Sequence, residues 1–385
     1  MEYITVKELF KITKGKKVEE IDYKNENSIR YIQIDDLRNN NNIKHCENIN
    51  KYVIAKKEDI IIAWDGANAG TIGFGIEGAI GSTLAILRKE NKEMDTEFCG
   101  LFLRSKSAYL REKCTGATIP HIQRRALEDI KIPKISLNKQ IEIKNIINKA
   151  QELIDKRKEQ IQDLDELVKS QFIEMFGNPS INDKGWMIDK LSTVVTNIEN
   201  GKSFICESFS RSGKYPAILK LSAVTYGIYN ANENKALTDE SLYVSSVEVK
   251  SEDLLFTRKN TPELVGMSAY VYNTEPNLMM PDLIFRFNTN ENINKIYLWK
   301  LINHDLFREK IKSLSNGSAK SMSNISKQRL MELNIPIPPI ELQKQFADFV
   351  KQTDKLKFEM EKSLKELEDN FNALMQKAFN GELFN

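Results

Sequence analysis

A chain of 385 residues and 44.3 kDa has room for two or three domains with cores of their own. Hydrophobic residues at 41% and charged residues at 29% are the balance of a soluble globular protein. At a net charge of +2 no basic tail announces a polyanion partner, which would have to meet locally concentrated Lys and Arg. Cys46, Cys99, Cys114 and Cys206 lie far apart with no Cys-x-x-Cys pair, which argues against zinc and a disulfide framework and fits a reducing cytosol.

The first residues, MEYITVKELFK, lack the apolar core of a signal peptide. The longest apolar run, at 60–64, is far below the ~20 residues that span a bilayer. The expectation is a soluble, cytoplasmic protein without a membrane partner. Lys14, Lys16 and Lys17 flank a turn glycine, and a β-rich stretch follows in which EDIIIAW leads into the Gly-rich loop WDGANAG. Gly73-x-Gly75-x-x-Gly78 matches a dinucleotide fingerprint on paper, yet AIGSTLAIL after it is turn and strand where a fingerprint needs a helix. These are expected to be turn glycines. Helix is expected over 96–113, then a polar-basic loop, GATIPHIQRR, then a boundary at Pro133 that opens a long helix. Its apolar seam runs Ile143, Ile147, Ala150, Ile154, Arg157, Ile161, Leu164, Val168 and Met175, mostly in steps of four and three, a coiled-coil period.

The chain then repeats itself. LEDIKIPKISLNKQIEI aligns without a gap on LMELNIPIPPIELQKQF: Pro133 meets Pro336, Gln140 meets Gln343, Leu153 meets Leu356, Leu164 meets Leu367 and Phe176 meets Phe379, all at one separation. Upstream, Arg111-Glu112-Lys113 matches Arg308-Glu309-Lys310, Glu58-Asp59 matches Glu252-Asp253, and Gly15-Lys16 resembles Gly201-Lys202. A period this long is two copies of a domain and its connector, not a solenoid. The second seam is Phe346, Val350, Thr353, Lys357, Met360, Leu364, Leu367, Phe371 and Leu374. At 1.5 Å per residue each helix is about 60 Å long, a spacer as well as a packing element. The expected fold class is α+β: two similar globular domains, 1–135 and 180–335, each followed by a long helix, 136–179 and 336–385. The two helices are expected to pair as an antiparallel coiled coil with pseudo-twofold symmetry.

In this order of elements the chain resembles the DNA specificity subunit of type I restriction-modification systems over its whole length. The residues that carry the resemblance are IPKISLNKQ and IPIPPIELQKQF, each leading into a long helix; FIEMFGNP followed by KGW; and the loops WDGANAG and GATIPHI. The first copy departs at Lys134-Ile135-Ser136, where the family prefers prolines, and at Asn138-Lys139. The resemblance implies two target recognition domains, each reading one part of a bipartite double-stranded DNA target with a non-specific gap. It implies two modification (methyltransferase) subunits docked on the helices, which motor-nuclease restriction subunits can join. Adenine methylation and restriction, with S-adenosylmethionine, ATP and magnesium, would then belong to those partners, leaving this chain no cofactor, metal or catalytic residue.

Two other classes fit the residues less well. A stand-alone methyltransferase would be expected to carry an Asn-Pro-Pro-Tyr-type loop, which Gly177-Asn178-Pro179 and the boundary prolines do not supply. A metal-dependent nuclease would need an acidic-x-Lys strand after Pro281-Asp282, and none follows. His45, His121 and His304 have no spacing for a metal or a triad, and His45 and His304 are expected at the surface. A coiled-coil scaffold that binds proteins accounts less well for divergent domains on equal helices.

Reading DNA needs donors and acceptors in loops that reach base edges, with Lys and Arg on phosphates. The first-half candidates are Lys14, Lys16 and Lys17; Trp64, Asp65 and Asn68; and Thr118, His121, Gln123, Arg124 and Arg125. The second half offers Lys202; Arg258, Lys259 and Asn260; and Lys320, Ser321, Asn324, Lys327, Gln328 and Arg329.

Overall fold

The computed structural model of the chain describes residues 2–90, 93–116, 118–316, 322–380 and 382–383. It forms two compact units, one joining residues 1–159 to 362–385 and the other spanning 160–361. Both long helices, Leu137–Phe176 and Ile340–Asn380, contribute residues to both units.

In the first unit a four-stranded antiparallel sheet runs in the order Phe10–Lys14, Leu84–Lys89, Ile60–Ala63, Ile72–Phe74. Side chains alternate across a strand, so the unbroken apolar run in EDIIIAW serves two cores. Ile60 and Ile62 join Leu87, Phe98 and Phe102 on one face, while Ile61 and Ala63 join Ile32, Leu37 and Ile80 on the other. A second sheet, Lys44–Glu47, Ser28–Ile32, Gly78–Ile80, Ile54–Ala55, contains the parallel pair Ser28–Ile32 with Gly78–Ile80. Gly73 lies in a strand and Gly78 opens the next, so the apparent fingerprint is strand, turn and strand, as expected.

The second unit repeats this plan. Its main sheet runs Val195–Asn200, Ile284–Thr289, Leu254–Thr257, Ser268–Tyr270, again antiparallel. Leu254 and Phe256 face one core and Leu255 the other. The smaller sheet has three strands and keeps the parallel pair, Ala217–Leu219 with Leu278–Met279.

Within each unit the long helices run antiparallel against the sheet domain. In the first, Ile143 and Ile147 share a core with Met375, Ala378 and Phe379, and farther along Lys158 pairs with Glu368 at 2.8 Å. In the second, Phe172 and Phe176 pack edge-on or tilted around Phe346, and Lys357 reaches Asp165 at 2.6 Å. Lys357 interrupts the apolar seam and finds its counter-charge across the helix pair.

Three expectations change. The helix over 96–113 is two, Thr96–Ser105 and Ser107–Glu112, because the chain turns at Lys106. Near the end of the first helix the buried seam residues are Phe172 and Phe176, with Met175 only partly buried beside them. His304 is not at the surface: it is 8% exposed, its ring 4.9 Å from that of Phe172, and its Nδ1 accepts from the Leu306 N–H at the start of Asp305–Ser313.

The aligned glutamines explain the repeated boundary. Gln140 and Gln343 are both 0% exposed. Gln140 accepts from the Asp95 N–H at 2.7 Å and donates to the Ile135 carbonyl at 2.7 Å. Gln343 accepts from the Asn294 N–H at 2.8 Å and donates to the Pro338 carbonyl at 2.7 Å. Asp95 and Asn294 are themselves N-caps, so each glutamine ties the first turn of a long helix to the start of a recognition-domain helix. Gln343→Ala leaves these groups buried and unpaired, at about 1–3 kcal/mol for each. Urea unfolding should show that loss for Gln343→Ala and again for Gln140→Ala; a change within experimental error in both would remove the glutamine from the architecture.

Candidate nucleic-acid interface

The candidate loops meet because the main sheet brings three distant segments to one end. In the first unit the Gly15 N–H donates to Leu84 O at 2.8 Å, Trp64 N–H to Thr83 O at 2.8 Å, and Ile122 N–H to Trp64 O at 3.0 Å. The second unit repeats each bond: Gly201 to Ile284 at 3.2 Å, Arg258 to Leu283 at 2.9 Å, and Ile325 to Arg258 at 2.9 Å. Glycine is required at the first position, since a Cβ on Gly15 would lie 2.2 Å from the Gly81 carbonyl oxygen and one on Gly201 2.0 Å from that of Pro281. Asp65 therefore faces His121 across a bridge, as Lys259 faces Asn324.

The same frame carries different side chains. In the first unit Asp65 is the hub: one carboxylate oxygen lies 2.7 Å from Lys14 Nζ and the other 2.6 Å from His121 Nδ1. Partial burial works against its charge, but the bonds from Lys14 and His121 prevail and hold its carboxyl below the usual range. Trp64 is half-buried over the same core. Lys16, Lys17, Thr118, Gln123 and Arg125 are exposed, and none of their side chains makes a hydrogen bond or ion pair among the described residues. Arg124 is held by Glu128 at 2.7 Å. Asn68 accepts from Arg38 at 2.6 Å. Arg38 falls outside the sequence-based candidates, and its only local signal is the polar stretch that follows YIQI.

In the second unit Lys202, Gln328 and Arg329 are exposed, and Arg329 donates to the Leu314 carbonyl at 3.2 Å. Arg258 and Lys327 lie over the Phe285 ring, 5.3 Å and 5.8 Å from its centroid. Asn260 is placed differently from its neighbours: it is 7% exposed and its amide donates to Thr225 Oγ1 at 3.0 Å, so it braces the loop from inside. Lys320 and Ser321 lie outside the described residues. Among the described residues no cluster of His, Cys, Asp and Glu is placed to hold a metal ion, and no helix is long and apolar enough to cross a membrane.

Comparison with known proteins agrees with this duplicated plan. The type I restriction modification DNA specificity domain matches residues 1–165 and again 183–369. The chain is 27% identical over 399 residues to the type I restriction enzyme MjaVIII specificity subunit of Methanocaldococcus jannaschii, covering 99% of this chain and 92% of that one. It is 24% identical over 359 residues to the EcoKI specificity subunit of Escherichia coli, covering 85% and 75%. In fold it is similar to the S subunit of the type I restriction-modification system from M. genitalium, with a TM-score of 0.59 at 17% identity over 98% of this chain and 96% of that one. A structure from work on complex assembly and conformational transition of the type I system gives 0.58 at 15% identity over 99% and 98%. With both copies matched, the chain belongs to the type I restriction-modification DNA specificity family, as a specificity subunit and not a catalytic one.

Proposed function

We propose that each unit reads one half of a split duplex target, with the loop ends at Trp64–Asp65 and His121 in the first, and at Arg258–Lys259 and Asn324 in the second, turned to the base edges. The observation that carries this reading is a backbone frame repeated bond for bond under side chains that are not repeated. One fold that must recognise two different half-sites needs that combination. Lys16, Lys17 and Lys202 suit phosphate contacts, which add affinity and register without sequence information. The paired long helices serve as the spacer that sets the unread gap and as the seat of two modification subunits, which motor-nuclease subunits can join. S-adenosylmethionine, ATP and magnesium act on those partners, and the assembly directs adenine methylation in the cytoplasm.

The test is an exchange. Residues 1–135 are replaced by the equivalent domain of a relative, the chimera is expressed with its modification subunit, and methylated adenines are mapped across the genome. One half-site should change while the other half-site and the gap stay. A target altered in both halves, or in neither, would overturn the assignment of one half-site to each unit.

A further inference from the structure

The second unit holds a cavity of about 560 Å3, walled by both long helices, the helix Lys295–Asn303 and the segment Tyr226–Tyr229. Small-molecule sites are of this size. In the first unit the corresponding place is closed. Counted from the N-caps Asp95 and Asn294, Gly100 stands where Trp299 does, and Phe74 pairs with Ile60 as Tyr270 pairs with Leu254. A Cβ on Gly100 would lie 2.5 Å from the Phe74 ring, so that ring takes up the space. In the second unit Tyr270 and Trp299 stack at 6.2 Å between centroids, and both line the cavity. A seat for a subunit bound alike by both halves would be repeated, and here the counterpart is filled.

The walls leave two donors without an acceptor among the described residues. Asp165 is held by Lys357, Glu166 by Lys169, and Asp354 accepts from the Tyr272 hydroxyl at 2.7 Å. Lys300 is the wall lysine with no carboxylate or carbonyl in contact; its ammonium lies 3.7 Å from the Trp299 ring centroid. Burial lowers its pKa, against the attraction of Asp354 and Asp165, and an anionic oxygen in the cavity would restore the charge. His304, four residues on, also lines the cavity. Its Nδ1 accepts from the Leu306 N–H, so the proton sits on Nε2, which is buried and unpaired. Tyr226, Ile228 and Phe358, all exposed, offer apolar surface to a ring. One wall also touches the reading loop. Thr225 Oγ1 accepts from Asn260 at 3.0 Å, and two residues on the Gly227 carbonyl accepts from Trp299 Nε1 at 2.9 Å. The segment Thr225–Gly227 thus joins the loop at Arg258–Asn260 to the cavity.

We infer that this cavity binds a small aromatic carboxylate, its anionic oxygen on Lys300 and its ring against Tyr226 and Phe358, and that occupancy is felt at the second reading loop through Thr225–Gly227. The effect on reading rests on the assignment of one half-site to each unit; the binding does not. The test titrates indole-3-carboxylate into the full complex with its modification subunits, followed by calorimetry. One saturable site per specificity subunit is expected in the millimolar range or below. Indole-3-carboxamide, which keeps the ring and removes the charge, should bind about tenfold or more weakly, and Lys300→Gln should lose the same factor for the carboxylate. No saturable binding, or equal binding of carboxylate and carboxamide, would overturn the site, and that comparison needs no variant to fold. Binding to the isolated chain that vanishes on assembly would make the cavity a protein seat and overturn the small-molecule site. For the effect on reading, affinities are measured on duplexes altered in one half of the mapped target at a time, with and without saturating indole-3-carboxylate. Discrimination in the second unit's half-site should change by about fivefold or more, while the first unit's stays. Lys300→Gln should keep normal methylation without the probe and lose this response. An equal change in both halves, or in neither, would overturn the coupling. If the domain exchange fails, the half-site assignment falls and the calorimetry still decides the site.

Discussion

Phe172→Ala is expected to destabilise the second unit by about 3–5 kcal/mol. The side chain is 1% exposed and its ring touches four others, Phe176 at 5.1 Å, Tyr297 at 5.8 Å, His304 at 4.9 Å and Phe346 at 5.5 Å between centroids. Those rings come from both long helices, from the recognition-domain helix Lys295–Asn303 and from His304 just after it, so the cavity would open where three helices meet. Truncation would remove transfer free energy and the edge-on contacts together, and the surrounding rings are too rigid to collapse into the space. Leu153→Ala is the control: on the same helix but 53% exposed, it should change stability by no more than about 0.5 kcal/mol. Denaturant unfolding followed by tryptophan fluorescence would report both, and equal effects from the two variants would refute the packing described.

Arg286→Ala should be of similar size, about 3–5 kcal/mol, for an electrostatic reason. Arg286 is 8% exposed and uses all five donors: Nε and Nη2 on Glu199, Nη1 on Asp253 at 3.1 Å and the Glu248 carbonyl at 2.7 Å, and Nη2 also on the Ser246 carbonyl at 2.9 Å. Removing it leaves two carboxylates near each other with two carbonyls unpaired. Arg286→Lys should recover little, since one ammonium cannot reach this planar set. The duplicate supplies a graded comparison. Arg88, one residue beyond Leu87 where Arg286 is one before Phe287, pairs at 2.6 Å with Asp59, the counterpart of Asp253, but its side chain is 42% exposed and it serves one acid instead of two. Arg88→Ala should therefore cost less than Arg286→Ala, and the reverse order would contradict the argument from burial.

These sites show what the sequence made legible. The alignment of Pro133 with Pro336 and Gln140 with Gln343 lies within one boundary and one helix turn, where neighbours in the chain are neighbours in space. It pointed to a repeated joint, and the joint is there in the bonds of both glutamines. The helix seams were equally local. The two faces of EDIIIAW were not legible, because a run that is apolar throughout carries no alternation. The pairing of Glu2–Thr5 with Lys131–Lys134, and of Met187–Lys190 with Asn334–Ile337, joins segments with no mutual mark in the chain. At the candidate interface the loops could be named from their polar and basic residues. Which side chains are already engaged could not be: the Asp65 carboxylate is bonded on both oxygens, and Asn260 faces inward, through partners distant in sequence.

The division of the long helices between the units has a consequence for synthesis on the ribosome. The second unit, residues 160–361, is one continuous stretch and can close as soon as it has emerged. The first unit cannot, although it is made first. Its core includes Met375, Ala378 and Phe379, and the Phe379 ring covers Phe98 and Phe102. At about 5–20 residues per second, the first recognition domain waits roughly 10–40 s with that aromatic face bare. The order of completion is thus the reverse of the order of translation. Over that interval the first-made half has most need of a chaperone, and a ribosome that stops near residue 361 would release one finished reader beside one that is still open.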